Sequence, residues 1–406
     1  MIKKIEVKNF KSFKELEIEL GKFNVLIGAN ASGKSNFVQI FQFLRDIERE
    51  GLENAISMQG GVEYLKNIKI GADEVFFLKV VSDEGFTSLI AKKEGLIMIK
   101  VHEITYEFVL KFREEGLGFE VSRDILSFKC KFPRLEMQKK KIEEREETEG
   151  EIIVSNVNGK VKAEIKPEEV PIKEDDIYPP FLKGKELPPN TILLAEPFFK
   201  PPIFSSISIY NFDPKLPKKA TPITGKAELE EDGSNLSIVL KNIIKNAEKK
   251  RKLFNLLKYL LPFVSDIGVE KFADKSLFFK LQETYFKDYI PASLISDGTI
   301  NIIALLVALY FEEKPLIIIE EPERNIHPYL ISKVVDMMKD ASQNKQIIIT
   351  THNPEIVKYA GLENILLVSR DKDGFSLISR PSGKDEVKIF LQNEIGIEEL
   401  YVQNLL

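Results

Sequence analysis

A chain of 406 residues exceeds what one hydrophobic core usually organises, so two lobes are expected, with ample apolar material for each. With 58 basic against 63 acidic residues the net charge is −5, which excludes a uniformly basic nucleic-acid coat but leaves room for a local basic face. The single cysteine, Cys130, excludes an internal disulfide framework and a cysteine-rich zinc site. No apolar run approaches a membrane span, and Met1 to Lys4 lacks the apolar core of a signal peptide, so a cytoplasmic chain without a membrane partner is expected.

Ile5 and Val7, then Leu16, Ile18 and Leu20, alternate with charged residues and predict two half-exposed strands joined at Phe10-Lys11-Ser12-Phe13. Phe23 to Ile27 predicts a buried strand. It runs into Gly28-Ala29-Asn30-Ala31-Ser32-Gly33-Lys34-Ser35, the pattern G-x-x-x-x-G-K-S, followed by a helix over 34–46. The two glycines let the backbone wrap a phosphate chain, and the amides that open the helix point at the anion. Asn30, Ala31, Ser32, Gly33, Lys34, Ser35 and Asn36 are therefore the expected phosphate-binding residues. Lys34 would reach the β- and γ-phosphates, and Ser35 would offer its hydroxyl to Mg²⁺. Taken alone, the stretch also reads as a ligand-free turn between strand and helix.

Gly51 to Asn67 reads as loop and short helix broken at Gly60-Gly61. Phe76 to Val81, Thr87 to Lys92, Leu96 to Val101, Thr105 to Phe112 and Leu126 to Phe132 then predict antiparallel strands. Arg134 to Glu151 is charge-dense and reads as a solvated arm or partly disordered insertion rather than a binding device. Ile152 to Lys166 predicts a hairpin about Asn158-Gly159. From Pro167 to Pro222 prolines crowd the chain, leaving short strands at Thr191 to Ala195 and Ser205 to Tyr210. Asp232-Gly233-Ser234-Asn235 caps a helix expected to run to about Leu261. Its Lys241, Lys245, Lys249, Lys250, Arg251 and Lys252 form either a solvated basic face or a phosphate-backbone contact. A small sheet is expected from Val269 to Phe272, Ser276 to Glu283 and Thr284 to Tyr289.

Leu294-Ile295-Ser296-Asp297-Gly298-Thr299 precedes the apolar helix Ile300 to Phe311 and offers a second anion-binding helix start, or simply a good cap. Pro315 to Glu323 is an apolar strand ending in acids. Glu320 is placed to hold Mg²⁺, and Glu321 to orient and deprotonate an attacking water. Gln346 to Pro354 is a second apolar strand, ending in His352, whose imidazole can hydrogen-bond a γ-phosphate or that water. His327 reads as a helix cap or a subunit contact. Asp371-Lys372-Asp373-Gly374 is a turn between Ile365 to Ser369 and Phe375 to Ser379, not the start of a nuclease domain, and Asp385 to Leu406 reads as a short helix and tail.

In this order, GxNxSGKSN, ISDGT before an apolar helix, hhhhEEPE-x-x-x-HP and TTHNP resemble the ATP-binding-cassette-like ATPases of the SMC, RecF and OLD kind, and most nearly the armless AAA-family ATPases. The resemblance implies an α/β P-loop fold of SMC/RecF-head type, with a β-rich first lobe over 1–222, a helical second lobe over 223–311 and a return to the ATPase core over 312–406. It implies ATP and Mg²⁺ as cofactors, with Glu321, His352 and Lys34 catalytic and Ser35 and Glu320 at the metal. Ser296 and Gly298 would form the signature motif, contacting ATP held by a second subunit, so that two copies sandwich two nucleotides head to tail. The Lys11 and Phe13 turn would lie near the nucleotide. A DNA-linked role in repair or phage defence follows from the family alone. The alternative is a non-enzymatic, ATP-gated switch or scaffold controlling a partner nuclease or toxin. Three features depart from the pattern: the first acid is Glu320 rather than Asp, no glutamine lies between Lys139 and Lys280 to serve the lobe junction, and no long heptads or Cys-x-x-Cys hook occur.

Overall fold

The computed structural model describes residues 1–92, 95–113, 118–138, 141–168, 170, 172–177, 186–196, 199–201, 204, 206–272, 275–383 and 397–403. The chain divides into two compact units, one of residues 1–20, 35–206 and 370–378 and one of residues 21–34, 207–369 and 379–406. Among the described residues no helix is long and apolar enough to cross a membrane.

The first unit is built on an eight-stranded antiparallel sheet. Its strands run in the order Phe13–Glu19, Ile2–Phe10, Phe76–Ser82, Gly95–Phe112, Phe119–Gln138, Lys141–Val157, Lys160–Lys166, with Phe86–Lys92 paired to Gly95–Phe112. The alternation of Ile2–Phe10 and Phe13–Glu19 turns one face inward. That face meets the helix Lys34–Glu50 in an aromatic cluster of Phe10, Phe43, Phe76 and Phe108, with ring centroids 5.5–6.4 Å apart. The Asn158-Gly159 turn forms as expected, both residues having positive φ, 51° and 86°, as a tight two-residue hairpin needs.

Three expectations for this unit are corrected. Leu96 to Val101 and Thr105 to Phe112 belong to one strand, and a register shift between Val101 and Glu103 absorbs the break in alternation. The described residues of Arg134 to Glu151 are not a disordered insertion; they continue two long strands that pair down to Gln138 and Lys141, with Pro133 accommodated at a register shift. Backbone pairing needs no apolar side chains, so composition gave no sign of it. Thr191 to Ala195 holds a 3-10 helix, Leu193–Ala195, instead of a strand, because the buried Asp124 carboxylate accepts the Leu193 N–H at 2.5 Å. Pro179-Pro180, Pro202 and Ser205 lie outside the described residues, as does most of the tail after Asp385, of which Ile397–Val402 is helical.

The second unit contains a parallel sheet in the order Ile207–Tyr210, Leu316–Glu320, Gln346–Thr351, Phe23–Ile27, Ile365–Arg370. Phe23–Ile27 and Gln346–Thr351 are buried throughout, as strands covered on both faces must be. The helix Asp297–Tyr310, buried along nearly its whole length, lies in the same core as Val25, Ile319, Ile347 and Val335. A smaller sheet joins Thr221–Pro222, Ser276–Glu283, Val264–Phe272 and Tyr289–Pro291, so the strand expected at Thr284 to Tyr289 begins only at its last residue. The expected single helix to Leu261 is two, Leu236–Lys245 and Ala247–Leu260. Asn246 breaks it by accepting the Glu248 and Lys249 N–H groups with its own side chain.

Candidate active site

Parallel pairing aligns three strand ends. Ile319 lies opposite Ile349 and Glu320 opposite Thr350, while Thr350 lies opposite Leu26 and Thr351 opposite Ile27. The Gly28 loop, the acids and His352 therefore leave the same edge of the sheet. The acid strand stands two strand spacings, roughly 10 Å, from the strand that feeds the loop. The earliest strand of this sheet is thus inserted among the latest, a switch of order of the kind where ligands bind in open α/β sheets.

The loop needs its glycine at Gly28. A Cβ there would meet the Val368 carbonyl oxygen at 2.2 Å and Ser32 Oγ at 2.8 Å. Ala31 and Gly33 take positive φ of 60° and 118°, which folds the loop back over its own start. The Lys34 ammonium donates to the carbonyls of Gly28 and Ala29, at 2.7 and 3.0 Å. Burial pulls its pKa below the usual lysine value, against the pull of Glu321, Glu323 and Glu320. Lys34 is thus within electrostatic reach of the acids two strands away along the same sheet edge. Ser35 and Asn36 open the helix Lys34–Glu50 in the first unit, where the Asn36 amide donates to Ser12 Oγ at 2.7 Å. There Lys11, Ser12, Asn36, Tyr64, Lys69 and Phe375 contribute to the lining of a cavity of about 610 Å³; Phe13 is buried.

Glu321 adopts φ 47° just past the strand, while its N–H still bonds the Thr350 carbonyl at 2.8 Å. A non-glycine residue in this region carries local strain of about 1 kcal/mol or more, a feature that clusters at functional sites. Its carboxylate holds His352 Nδ1 at 3.1 Å through Oε1 and accepts Arg324 Nη2 at 2.8 Å through Oε2. Partial burial works against ionisation, but the hydrogen bond and charge of Arg324, with His352, outweigh it and hold the carboxyl below the ordinary glutamate value. A third acid, Glu323, is buried and accepts the Thr351 hydroxyl at 2.5 Å; Thr351 in turn accepts the Asn353 N–H, so the residues on both sides of His352 are pinned. Burial raises the Glu323 pKa, and its Oε2 has no hydrogen-bond partner among the described residues.

Ser296 caps the helix Asp297–Tyr310, accepting the Thr299 N–H at 3.2 Å. Gly298 has a packing reason: a Cβ there would meet the Asn325 carbonyl oxygen at 2.4 Å. His327 caps the helix Pro328–Ala341, one of the two roles expected of it. Sequence reasoning did not single out Arg324, Glu323 or Thr351. Arg324 carried one usable signal, its place three residues after Glu321 in a turn; the Glu323 to Thr351 tie had none, because its partners are 28 residues apart.

Two family models match the chain: one described as "AAA ATPase domain" over residues 1–180, and one described as "AAA domain, putative AbiEii toxin, Type IV TA system" over residues 189–358. Among solved structures the chain is similar to an SMC head bound to the C-winged helix domain of ScpA, with 15% identity, 93% of this chain and 97% of that one covered, and a TM-score of 0.51. It is also similar to an SMC head with an extended coiled coil, bound to the C-terminal domain of ScpA derived from Pyrococcus furiosus, at 14% identity, 97% and 99% coverage and a TM-score of 0.49. Over 44 residues it is 50% identical to the chromosome partition protein Smc of Methanocaldococcus jannaschii, a stretch that is 11% of this chain and 4% of that protein's length. Identity at this level to the solved heads shows the fold alone. The chain thus carries two matches to AAA-type ATPase domain models, over residues 1–180 and 189–358, and the fold of an SMC head.

Proposed function

We propose that this ATP-binding chain hydrolyses Mg-ATP and works as an ATP-gated homodimer, two copies sandwiching two nucleotides head to tail. The observation that carries the reading is the Glu321–His352 contact of 3.1 Å at the sheet edge shared with the Gly28 loop. In this reading Glu321 takes a proton from water as the water oxygen attacks the γ-phosphorus and ADP departs with the bond electrons. His352 orients Glu321 and that water, and Lys34 turns from its loop carbonyls to the β- and γ-phosphates. Asn30 to Asn36 supply the cradle, and Ser296 and Gly298 present the helix start to the partner's nucleotide. The cradle that no Cβ fits at Gly28, together with hard oxygen donors, suits a magnesium nucleotide; Ser35 and Glu320 would hold Mg²⁺, which supplies charge neutralisation at the phosphates.

A DNA-linked role in repair or phage defence is supported by the likeness to chromosome-partition Smc. A second reading, an ATP-gated switch that controls a partner toxin or nuclease without turnover of its own, is favoured by the AbiEii description of the model over residues 189–358. Phosphate release with and without DNA separates the two. Within the first reading, Glu321→Gln should slow phosphate release by about 10²- to 10⁴-fold, the usual contribution of a general base, and should accumulate as a dimer in Mg-ATP on sedimentation. Undiminished turnover, or a monomer at saturating Mg-ATP, would sink the proposal.

A further inference from the structure

Arg324 lies in the turn between the strand Leu316–Glu320 and the helix Pro328–Ala341. Its guanidinium donates to Glu321 Oε2 through Nη2 at 2.8 Å and Nε at 3.3 Å, and its Nη1 reaches Asn211 Oδ1 at 3.2 Å. Since His352 holds Oε1, both oxygens of the carboxylate are engaged. The planar fork of an arginine fixes a carboxylate's orientation and occupies lone pairs that a water proton would need. The pair is nevertheless partly open, with 41% of the Arg324 side chain and 28% of the Glu321 side chain exposed, and ion pairs at such exposure are weak enough to exchange.

The backbone that carries this guanidinium is fastened elsewhere. The Arg324 carbonyl accepts the amide of Asn301 at 2.7 Å, and Asn301 is buried. The next carbonyl, that of Asn325, packs against Gly298 closely enough to exclude a Cβ. Asn325 itself has φ 62°, so the turn has little freedom to relax independently. Gly298 and Asn301 both lie in the opening turns of the helix Asp297–Tyr310, directly after Ser296. A displacement of that helix start is therefore passed to Arg324 through one hydrogen bond and one backbone contact.

We propose that Arg324 is a latch on Glu321. While it grips Oε2 the carboxylate is held in a fixed orientation and is a poorer acceptor for the proton of the attacking water; binding of a polyphosphate at Ser296 shifts the helix start, draws the Arg324–Asn325 backbone with it and turns the guanidinium out to solvent. Each copy's base is thereby freed only when its own Ser296 corner is engaged by the nucleotide of the second copy. The latch rests on the reading of Glu321 as the base and adds a regulation of that same site. Arg324 is a positioning residue here, acting through Glu321.

The test is steady-state phosphate release by the full chain across a range of protein concentrations, for wild type, Arg324→Gln, Arg324→Lys, Glu321→Gln and the Glu321→Gln/Arg324→Gln double variant. Wild-type kcat should climb with protein concentration. R324Q should raise kcat several-fold at the lowest concentrations, with KM for ATP unchanged, and flatten the climb; R324K, which keeps the charge but not the fork, should fall between. The double variant should be as slow as E321Q, placing the acceleration on Glu321. An R324Q kcat at or below wild type throughout overturns the latch, and if R324Q does not fold, R324K carries the test by the same criterion. Wild-type turnover in E321Q would instead overturn the base assignment, so the two failures are distinguishable.

Discussion

Gly298→Ala isolates the contact between the helix Asp297–Tyr310 and the turn after the acids. The new Cβ would stand 2.4 Å from the Asn325 oxygen, where 3.0 Å is the practical floor, so helix or turn must give by about 0.6 Å. The opposing atom is backbone and cannot rotate away. Displacing it stretches the 2.7 Å bond from Asn301 to the Arg324 carbonyl, in a buried place where a lost hydrogen bond costs roughly 1–3 kcal/mol. Overpacking adds about 1–3 kcal/mol, and the better helix propensity of alanine returns up to about 1 kcal/mol. The net expectation is about 1–6 kcal/mol, which at roughly 2 °C per kcal/mol for a chain of this size lowers the melting temperature by several degrees. Thermal unfolding followed by circular dichroism, without nucleotide, measures it. A G298A chain that melts at or above the wild-type temperature would refute the steric reasoning, and with it the mechanical link between Ser296 and Arg324.

Lys34→Ala removes the ammonium that the Gly28 loop now holds, and should abolish the rise in melting temperature that Mg-ATP gives the wild type, about 2.7 kcal/mol of stabilisation at a hundredfold excess over Kd; an unchanged rise would remove Lys34 from the phosphate site. Asp124 gives a pH dependence. Burial pushes its carboxyl from the ordinary 3.8 up to about 7, despite the hydrogen bond it accepts from the Leu193 N–H. Between those values the folded chain keeps a proton that the unfolded chain releases, so stability falls as pH rises through that window and levels off above it, by at most about 4 kcal/mol. Asp124→Asn cannot ionise; urea midpoints at pH 5 and pH 8 should differ less for it than for the wild type, and equal losses would contradict the assignment.

Much of the site was legible because each motif is a local pattern with a local cause. The glycines of the loop, the apolar runs ending at Glu320 and His352, and the caps at Ser296 and His327 are each set within a few residues. The errors came where local composition and backbone pairing part company. The described residues of 134–151 pair through backbone N–H and C=O groups, which composition does not announce, and Asn246 redirects its side chain to end one helix and start another.

Sequence by itself determined the inventory of chemistry: a glycine-rich loop between strand and helix, paired acids, a histidine and a capped apolar helix, in that layout. Tertiary structure decided what those groups do to one another. Parallel pairing inserts Phe23–Ile27 beside Gln346–Thr351, which no local preference encodes, because strand order is chosen by the burial of whole faces. The grip of Arg324 on Glu321, the seat of Gly298 under Asn325 and the Glu323 to Thr351 tie all follow from that placement. Side chains distant in the chain acquire their partners only once the sheet edge has gathered them.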